Sequence, residues 1–286
     1  MVASAAASVL YGVLFFLPPA LRPLSPSAVY GWRVLLTVLA LAAGFALVGR
    51  GSSLRRAFTV ITSSPRRAVA TVVNAAILGL QLWLFGWGPA TGHGLDVALG
   101  YLLLPIVMML TGVAVFHDRL GRLRWAALLL AATGTMVGVV LAGGVSLATV
   151  AVAVGYPLYF TLRRLNGVDS VGVLWWEIAL TVPVAVTLTI INGSWAAISH
   201  APSLWGPLVL LGVVSAAALG SYMLASSRLT FTVFGVLSYA EPILLVLVSV
   251  LALGEPLSPN DLGTYLPIAA ALVLLGIDAR VRSAGR

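Results

Sequence analysis

The sequence predicts an all-α membrane protein. Ten transmembrane helices are expected in two inverted five-helix repeats, residues 1–142 and 143–286, within one transmembrane domain with both termini cytoplasmic. Three observations lead there. Of 286 residues, 60% are hydrophobic and only 8% charged, against about a quarter charged in soluble domains. Apolar runs close to the ~20 residues needed to cross a bilayer recur along the whole chain. The short breaks between them are arginine-rich and arginine-poor in alternation.

Span one, 4–20, is rich in Ala and Ser. A secretory signal opens with a positive segment, and no Arg precedes Arg22, so this stretch reads as a span. Span two, 28–48, carries Arg33 near its outer end, and Arg50, Arg55, Arg56, Arg66 and Arg67 follow. Span three, 68–88, contains Gln81. Span four, 97–116, contains Tyr101 and Pro105, with Arg119, Arg122 and Arg124 close behind. Span five, 123–142, includes GTMVG from Gly134 to Gly138, a small-residue spacing that suits close helix packing and not a phosphate loop. Span six, 146–163, holds Tyr156 and ends at Arg163 and Arg164. Span seven, 170–191, carries Trp175, Trp176 and Glu177. Span eight, 205–225, precedes Arg228. Span nine, 231–252, has Tyr239, Glu241 and Pro242, and span ten, 262–280, runs into Arg280, Arg282 and Arg286. The opposite breaks hold only Arg22, so the positive-inside rule places both termini in the cytoplasm.

The same charge pattern narrows function. A net charge of +8 could suggest a nucleic-acid partner, but arginines confined to alternate breaks report orientation instead. The chain has no Lys, hence no P-loop lysine and no Schiff base, and no Cys, hence no thiolate metal site. His93, His117 and His200 stand in or beside breaks without metal-ligand spacing, and no GxSxG elbow occurs. No metal, cofactor or catalytic group is expected.

A duplication is legible. Setting Leu102–Leu120, LLLPIVMMLTGVAVFHDRL, over Tyr239–Leu257, YAEPILLVLVSVLALGEPL, aligns Pro105 with Pro242 and Asp118 with Glu255. The matched spans are five apart, so the second half must cross the membrane in the opposite sense. That arrangement places a binding site near the midplane between the halves.

Three charges fall inside the spans, Arg33, Glu177 and Glu241, each costing about 2.5–3.5 kcal/mol when central. Glu241 lies deepest. Pro242 beside it removes an N–H and frees the Ser238 carbonyl, so Pro105 and Pro242 are expected to break their helices at midplane. Glu241, with Glu177 second, is expected to couple protons; the bland alternative is a permanently protonated, hydrogen-bonded Glu241. Glu177 is either a cavity carboxylate or a snorkelling interfacial group. Arg33 either neutralises an acid or receives a solute carboxylate. Gln81 should bond across helices, and Tyr101, Tyr156 and Tyr239 are candidate cavity linings. Trp175 and Trp176 fit an interfacial aromatic belt.

These residues resemble the RarD type of EamA transporters within the drug/metabolite transporter superfamily. The resemblance covers most of the chain, through QLWLFGW (Gln81–Trp87), HGLDVALGYLLLP (His93–Pro105), FHDRLGRLRW (Phe116–Trp125), the Arg of GWR at Arg33, WWEIALTVP around Glu177, and SYAEP with the later GEP. It implies a ten-span inverted-repeat secondary carrier of the bacterial inner membrane that exports metabolites or drugs. The chain departs from that pattern at Gln81, where the family has Asn, near Ala28, at His117–Asp118, where it has Gly-Glu, and at Glu241, where it has Gly. Arg33 and Glu177 match it. The expected function is therefore export of small organic solutes by alternating access, with protons as a possible coupling ion. A membrane-embedded enzyme acting on a lipid or lipid-linked substrate is the runner-up, and a non-transporting scaffold or sensor is a third reading.

Overall fold

A computed structural model describes residues 2–141, 143–239 and 259–284. Glu241, Pro242 and Glu255 lie outside the described residues. Among those described the secondary structure is helical without strands. The helices are α1 (Val2–Phe16), α2 (Pro26–Leu47), α3 (Ser52–Thr62), α4 (Pro65–Ala90), α5 (Gly94–Phe116), α6 (Arg122–Leu141), α7 (Leu147–Asn166), α8 (Val171–Leu180), α9 (Val182–Ile191), α10 (Ser194–His200), α11 (Trp205–Arg228), α12 (Phe231–Leu237) and α13 (Pro259–Ala284).

Local chemistry sets many of these boundaries. Ser25, Ser64, Ser146 and Ser170 cap α2, α4, α7 and α8, each hydroxyl accepting from a backbone N–H of the first turn, and Pro26 and Pro65 open their helices. Gly167 ends α7 in the left-handed region at φ 62°. His117 ends α5 in the same region at φ 53°, a conformation that a side chain with a Cβ tolerates poorly. This is the position where the resembled family has Gly. His117 is exposed, so His117→Gly is expected to stabilise the protein by about 1 kcal/mol, read as a higher melting temperature in detergent; a lower one would contradict the strain.

The packing differs from that of a soluble protein in how apolar its outer surface is and in the polar groups it places among a mostly apolar core. Thr71, Asn74, Gln81, Thr135, Arg163, Glu177 and Ser215 are buried, whereas Leu39, Leu129, Met136, Val140, Val213 and Val273 are largely exposed. Such a surface is matched to lipid. Among the described residues five helices are long and apolar enough to cross a membrane, and the bent pair α8–α9 makes a sixth. The chain is thus a multi-pass helical membrane protein.

Several expectations need correction. Span seven is not one helix: α8 and α9 meet at Thr181 with a 41° bend, and Pro183 at the start of α9 cannot continue the α8 ladder. The break between spans two and three contains α3, an amphipathic helix that packs against α8. Pro105 does not interrupt α5, which continues through it as one helix. The Trp pair does more than mark an interface. The indole N–H of Trp175 donates to the Val38 carbonyl on α2, and that of Trp176 to the Leu54 carbonyl on α3, each at 3.0 Å.

Helix pairs then assemble the bundle. α6 lies along α13, α5 contacts α7 and α12, α2 contacts α9 and α11, and α1 packs on α11 while α4 packs on α7 and α8. Small residues permit the closest approaches, as GTMVG predicts. A Cβ on Gly134 would stand 2.4 Å from the Thr264 carbonyl oxygen of α13, so nothing larger than Gly fits there without separating the two helices.

Candidate functional site

Two connected polar and aromatic groups occupy the interior, one at the helix junction and one toward the arginine-rich end. The first is built on rings. Tyr222 of α11 has its ring centroid 5.8 Å from Tyr11 of α1, 5.5 Å from Phe160 and 6.5 Å from Tyr156 of α7, and 4.6 Å from Phe234 of α12. Tyr101 of α5 lies 6.1 Å from Tyr156 and 5.9 Å from Phe85 of α4, whose ring is 6.2 Å from Tyr11. Helices from both halves of the sequence therefore converge on one aromatic cluster. Its polar edges include Tyr222, whose hydroxyl is 2.9 Å from Ser238 Oγ.

Arg33 borders this cluster. Its guanidinium carbon sits 5.2 Å from the Phe85 ring centroid, and its Nε donates to Ser215 Oγ of α11 at 2.9 Å. Its Nη2 is buried with no hydrogen-bond partner among the described residues, and the residue as a whole is 4% exposed. Gln81, one turn before Phe85, donates from Nε2 to the Ala151 carbonyl of α7 at 2.8 Å, the cross-helix bond expected of it. Gly155 makes the space, since a Cβ there would collide with the Gln81 amide.

The second group is an ion pair. Arg163, in the last turn of α7, and Glu177 of α8 are both fully buried, and Arg163 Nη1 donates to Glu177 Oε2. Tyr159 donates its hydroxyl to the same oxygen at 2.8 Å, and Arg163 Nη2 donates to the Ser170 carbonyl at 2.7 Å. Asn74 of α4 lies beside the carboxylate, although its amide and Glu177 Oε1 miss good hydrogen-bond geometry. The sequence sets Arg163 at the very end of span six; it is a core residue because α7 extends to Asn166. Glu177 is thereby neither snorkelling nor alone. A short α7–α8 connection sets the two charges abreast, 14 residues apart in sequence.

The neighbouring Arg164 points the other way. Its Nη2 donates to the Ser226 and Leu229 carbonyls, at 2.6 and 2.8 Å, and its guanidinium lies over Phe116 and Phe231. Beside it Asp118 accepts from the Thr232 backbone N–H and hydroxyl at 2.9 and 2.8 Å, joining the end of α5 to α12. Arg67 donates to the Asn166 carbonyl at 3.1 Å and Arg124 to Asp278 at 2.8 Å. In the α7–α8 loop, burial pushes the Asp169 carboxyl above the usual aspartate range, with Arg163 and Arg164 pulling it back. Charge-assisted bonds thus join several helices at the arginine-rich end.

Of the predicted site residues, the structure brings Arg33, Gln81, Tyr101 and Tyr156 to the aromatic cluster or its edge, and sets Glu177 in the ion pair. Tyr239 is elsewhere: it is buried with Leu99, Leu102, Ala131 and Ile268, with Thr135 as its polar neighbour. Tyr11, Phe85, Phe160, Tyr222, Asn74, Tyr159 and Arg163 were not singled out. The readable signal was weak, a Tyr–Phe pair one turn before the double Arg of α7. Among the described residues no cluster of three or more His, Cys, Asp or Glu could hold a metal.

Comparison with known proteins fits this architecture. No family model matches the chain. It is 36% identical to the chloramphenicol-sensitive protein RarD of Pseudomonas aeruginosa, over 96% of this chain and 93% of that one. It is 33% identical to an uncharacterized transporter of Pasteurella multocida, over 98% and 96%. Protein RarD of Escherichia coli is 26% identical over 77% of this chain and 75% of that one. A solved crystal structure superposes with a TM-score of 0.71 at 20% identity, covering 98% of this chain and 96% of that one, and so shares the fold. With identities at this level running almost from end to end, the chain belongs to the RarD family of membrane transporters in the drug/metabolite transporter superfamily.

Proposed function

We propose that the protein is a secondary carrier that exports small organic solutes across the bacterial inner membrane by alternating access, with both termini cytoplasmic. The observation that carries this reading is the aromatic cluster of Tyr11, Phe85, Tyr101, Tyr156 and Tyr222, built from both halves of the chain and bordered by buried Arg33. Amphipathic walls with one charge suit small organic solutes.

The pattern of helix contacts supports ten spans in two inverted repeats. Exchange α1 with α7, α2 with α8–α9, α4 with α11, α5 with α12 and α6 with α13. The contact α1–α11 then becomes α7–α4, α2–α11 becomes α8–α4, and α5–α7 becomes α12–α1; all six occur. The pairs α6–α13, α5–α12 and α2–α9 map onto themselves and also occur. Interfaces that interconvert in this way allow the halves to rock about a shared site. Arg67–Asn166 and Asp118–Thr232, each joining the first half to the second, are the ties that must separate when the arginine-rich end opens. Tyr159, 5.0 Å from Phe160 in ring separation, connects the Arg163–Glu177 pair of the second half to the aromatic cluster.

Glu241 remains the proposed proton carrier, since Glu177 is held by Arg163 and Tyr159. Relatives from Pasteurella multocida and Haemophilus influenzae carry the name of transporters, which favours this reading over a membrane-embedded enzyme. The test is flux into sealed liposomes containing the purified protein and a pH-sensitive dye. Chloramphenicol, from the name of the Pseudomonas relative, is presented alongside amino acids and aryl metabolites. Uptake of unaltered solute is expected, with a coupled proton flux that Glu241→Gln abolishes. A chemically changed product, or no uptake of any solute, contradicts the proposal.

A further inference from the structure

Among the described residues Arg33 is a buried cation with no carboxylate paired to it and no partner for its Nη2. Its Nε is used by Ser215 and its guanidinium lies on Phe85. Leaving a guanidinium donor desolvated and unanswered is costly, and hydroxyl and ring contacts do not neutralise a full charge. By contrast Arg163, the other fully interior arginine described, has Glu177, Tyr159 and the Ser170 carbonyl around it. The asymmetry between the two marks Arg33 as a position whose counter-charge is supplied from elsewhere.

We propose that Arg33 is the anion receptor of the central site, and that the solute is an aryl or similarly flat apolar molecule bearing one carboxylate or comparable oxyacid group. The Nη edge receives the anionic oxygens. The Phe85, Tyr101 and Tyr11 rings receive the apolar body, since Phe85 contacts both tyrosines and the guanidinium. Ser215 holds Nε so that the fork does not swing away when the site is empty. This inference rests on the carrier reading above and adds to it the charge and shape of the solute.

The test uses the full-length protein in detergent and two probes of nearly equal shape, phenylacetate and phenylacetamide, measured by equilibrium dialysis. Phenylacetate is expected to bind about 10-fold or more tightly than its neutral isostere, the scale of a charge-assisted hydrogen bond. Arg33→Gln should bring the two to parity and Arg33→Lys should keep part of the preference, with unchanged melting temperatures showing that both variants fold. Equal binding of the two probes to the native protein, no binding of either, or a preference that survives Arg33→Gln would each overturn the proposal. So would a preference that emerges only in Glu241→Gln, because the counter-ion would then be the protein's own. If neutral solutes are carried while no anion preference exists, this inference fails and the carrier reading stands. If phenylacetate binds as expected but nothing crosses a bilayer, the carrier reading fails instead.

Discussion

Replacing Glu177 by Leu is expected to destabilise the protein by about 3–5 kcal/mol, and combining it with Arg163→Met should restore most of that loss. The single variant leaves the Arg163 guanidinium fully buried, with the Tyr159 hydroxyl and the Ser170 carbonyl as its hydrogen-bond partners and the Asp169 carboxyl of the α7–α8 loop as its remaining charged neighbour. The two hydrogen-bond partners carry no charge, and Asp169 makes no direct ion pair with Arg163 among the described residues. The double variant removes both charges and fills the space with apolar groups, which is often neutral in stability because neither ion need be desolvated. Thermal unfolding in detergent across the four-member cycle gives the coupling directly. A single variant within about 1 kcal/mol of the native protein would contradict a desolvated pair.

The second large effect is expected at Tyr222. Its ring contacts Tyr11, Tyr156, Phe160 and Phe234, so it is the hub on which α1, α7, α11 and α12 converge. Tyr222→Ala removes the ring and should cost about 3–5 kcal/mol, the range for large aromatic truncations in packed interiors, together with transport. Tyr222→Phe keeps the packing and loses the contact with Ser238 Oγ, worth about 0.5–1.5 kcal/mol. Melting temperature and solute uptake are measured on both. If Tyr222→Ala unfolds like the native protein, the cluster is not the packed centre described. If Tyr222→Phe folds normally yet transports nothing, the hydroxyl itself contacts solute.

How much of this was legible in the sequence follows from what each residue signals locally. Long apolar runs became helices, because in lipid the backbone has no other way to satisfy its polar groups. Gln81 was readable as a cross-helix bond and Gly134 as a close approach, since an amide or a glycine in such a run has few other uses. The break at Thr181 was available in the Thr-Val-Pro sequence but was masked by continuous hydrophobicity. Helix α3 was hidden because Arg55 and Arg56 lowered its apolarity below that of a span, while its periodic apolar face still packs on α8. Arg163 was the costliest miss. At the end of an apolar run an arginine looks like a loop residue, and only the extra turn of α7 and the fold-back of α8 bring it to Glu177. Tyr11 and Tyr222 gave no signal because an aromatic side chain in a membrane span reads as packing until another helix supplies its partner.

The measurement that tests the central claim most directly is counterflow. Sealed liposomes with the purified protein are loaded with unlabelled solute from the transported panel, diluted into the same solute carrying a trace label, and followed over time. A carrier whose two halves alternate about one site draws label inward transiently above its equilibrium level, because loaded sites return outward occupied and exchange. That overshoot is the expected result, and it should vanish in Tyr222→Ala. Uptake that rises monotonically to equilibrium, with no overshoot at any internal solute concentration, would mean an open pathway and would contradict alternating access.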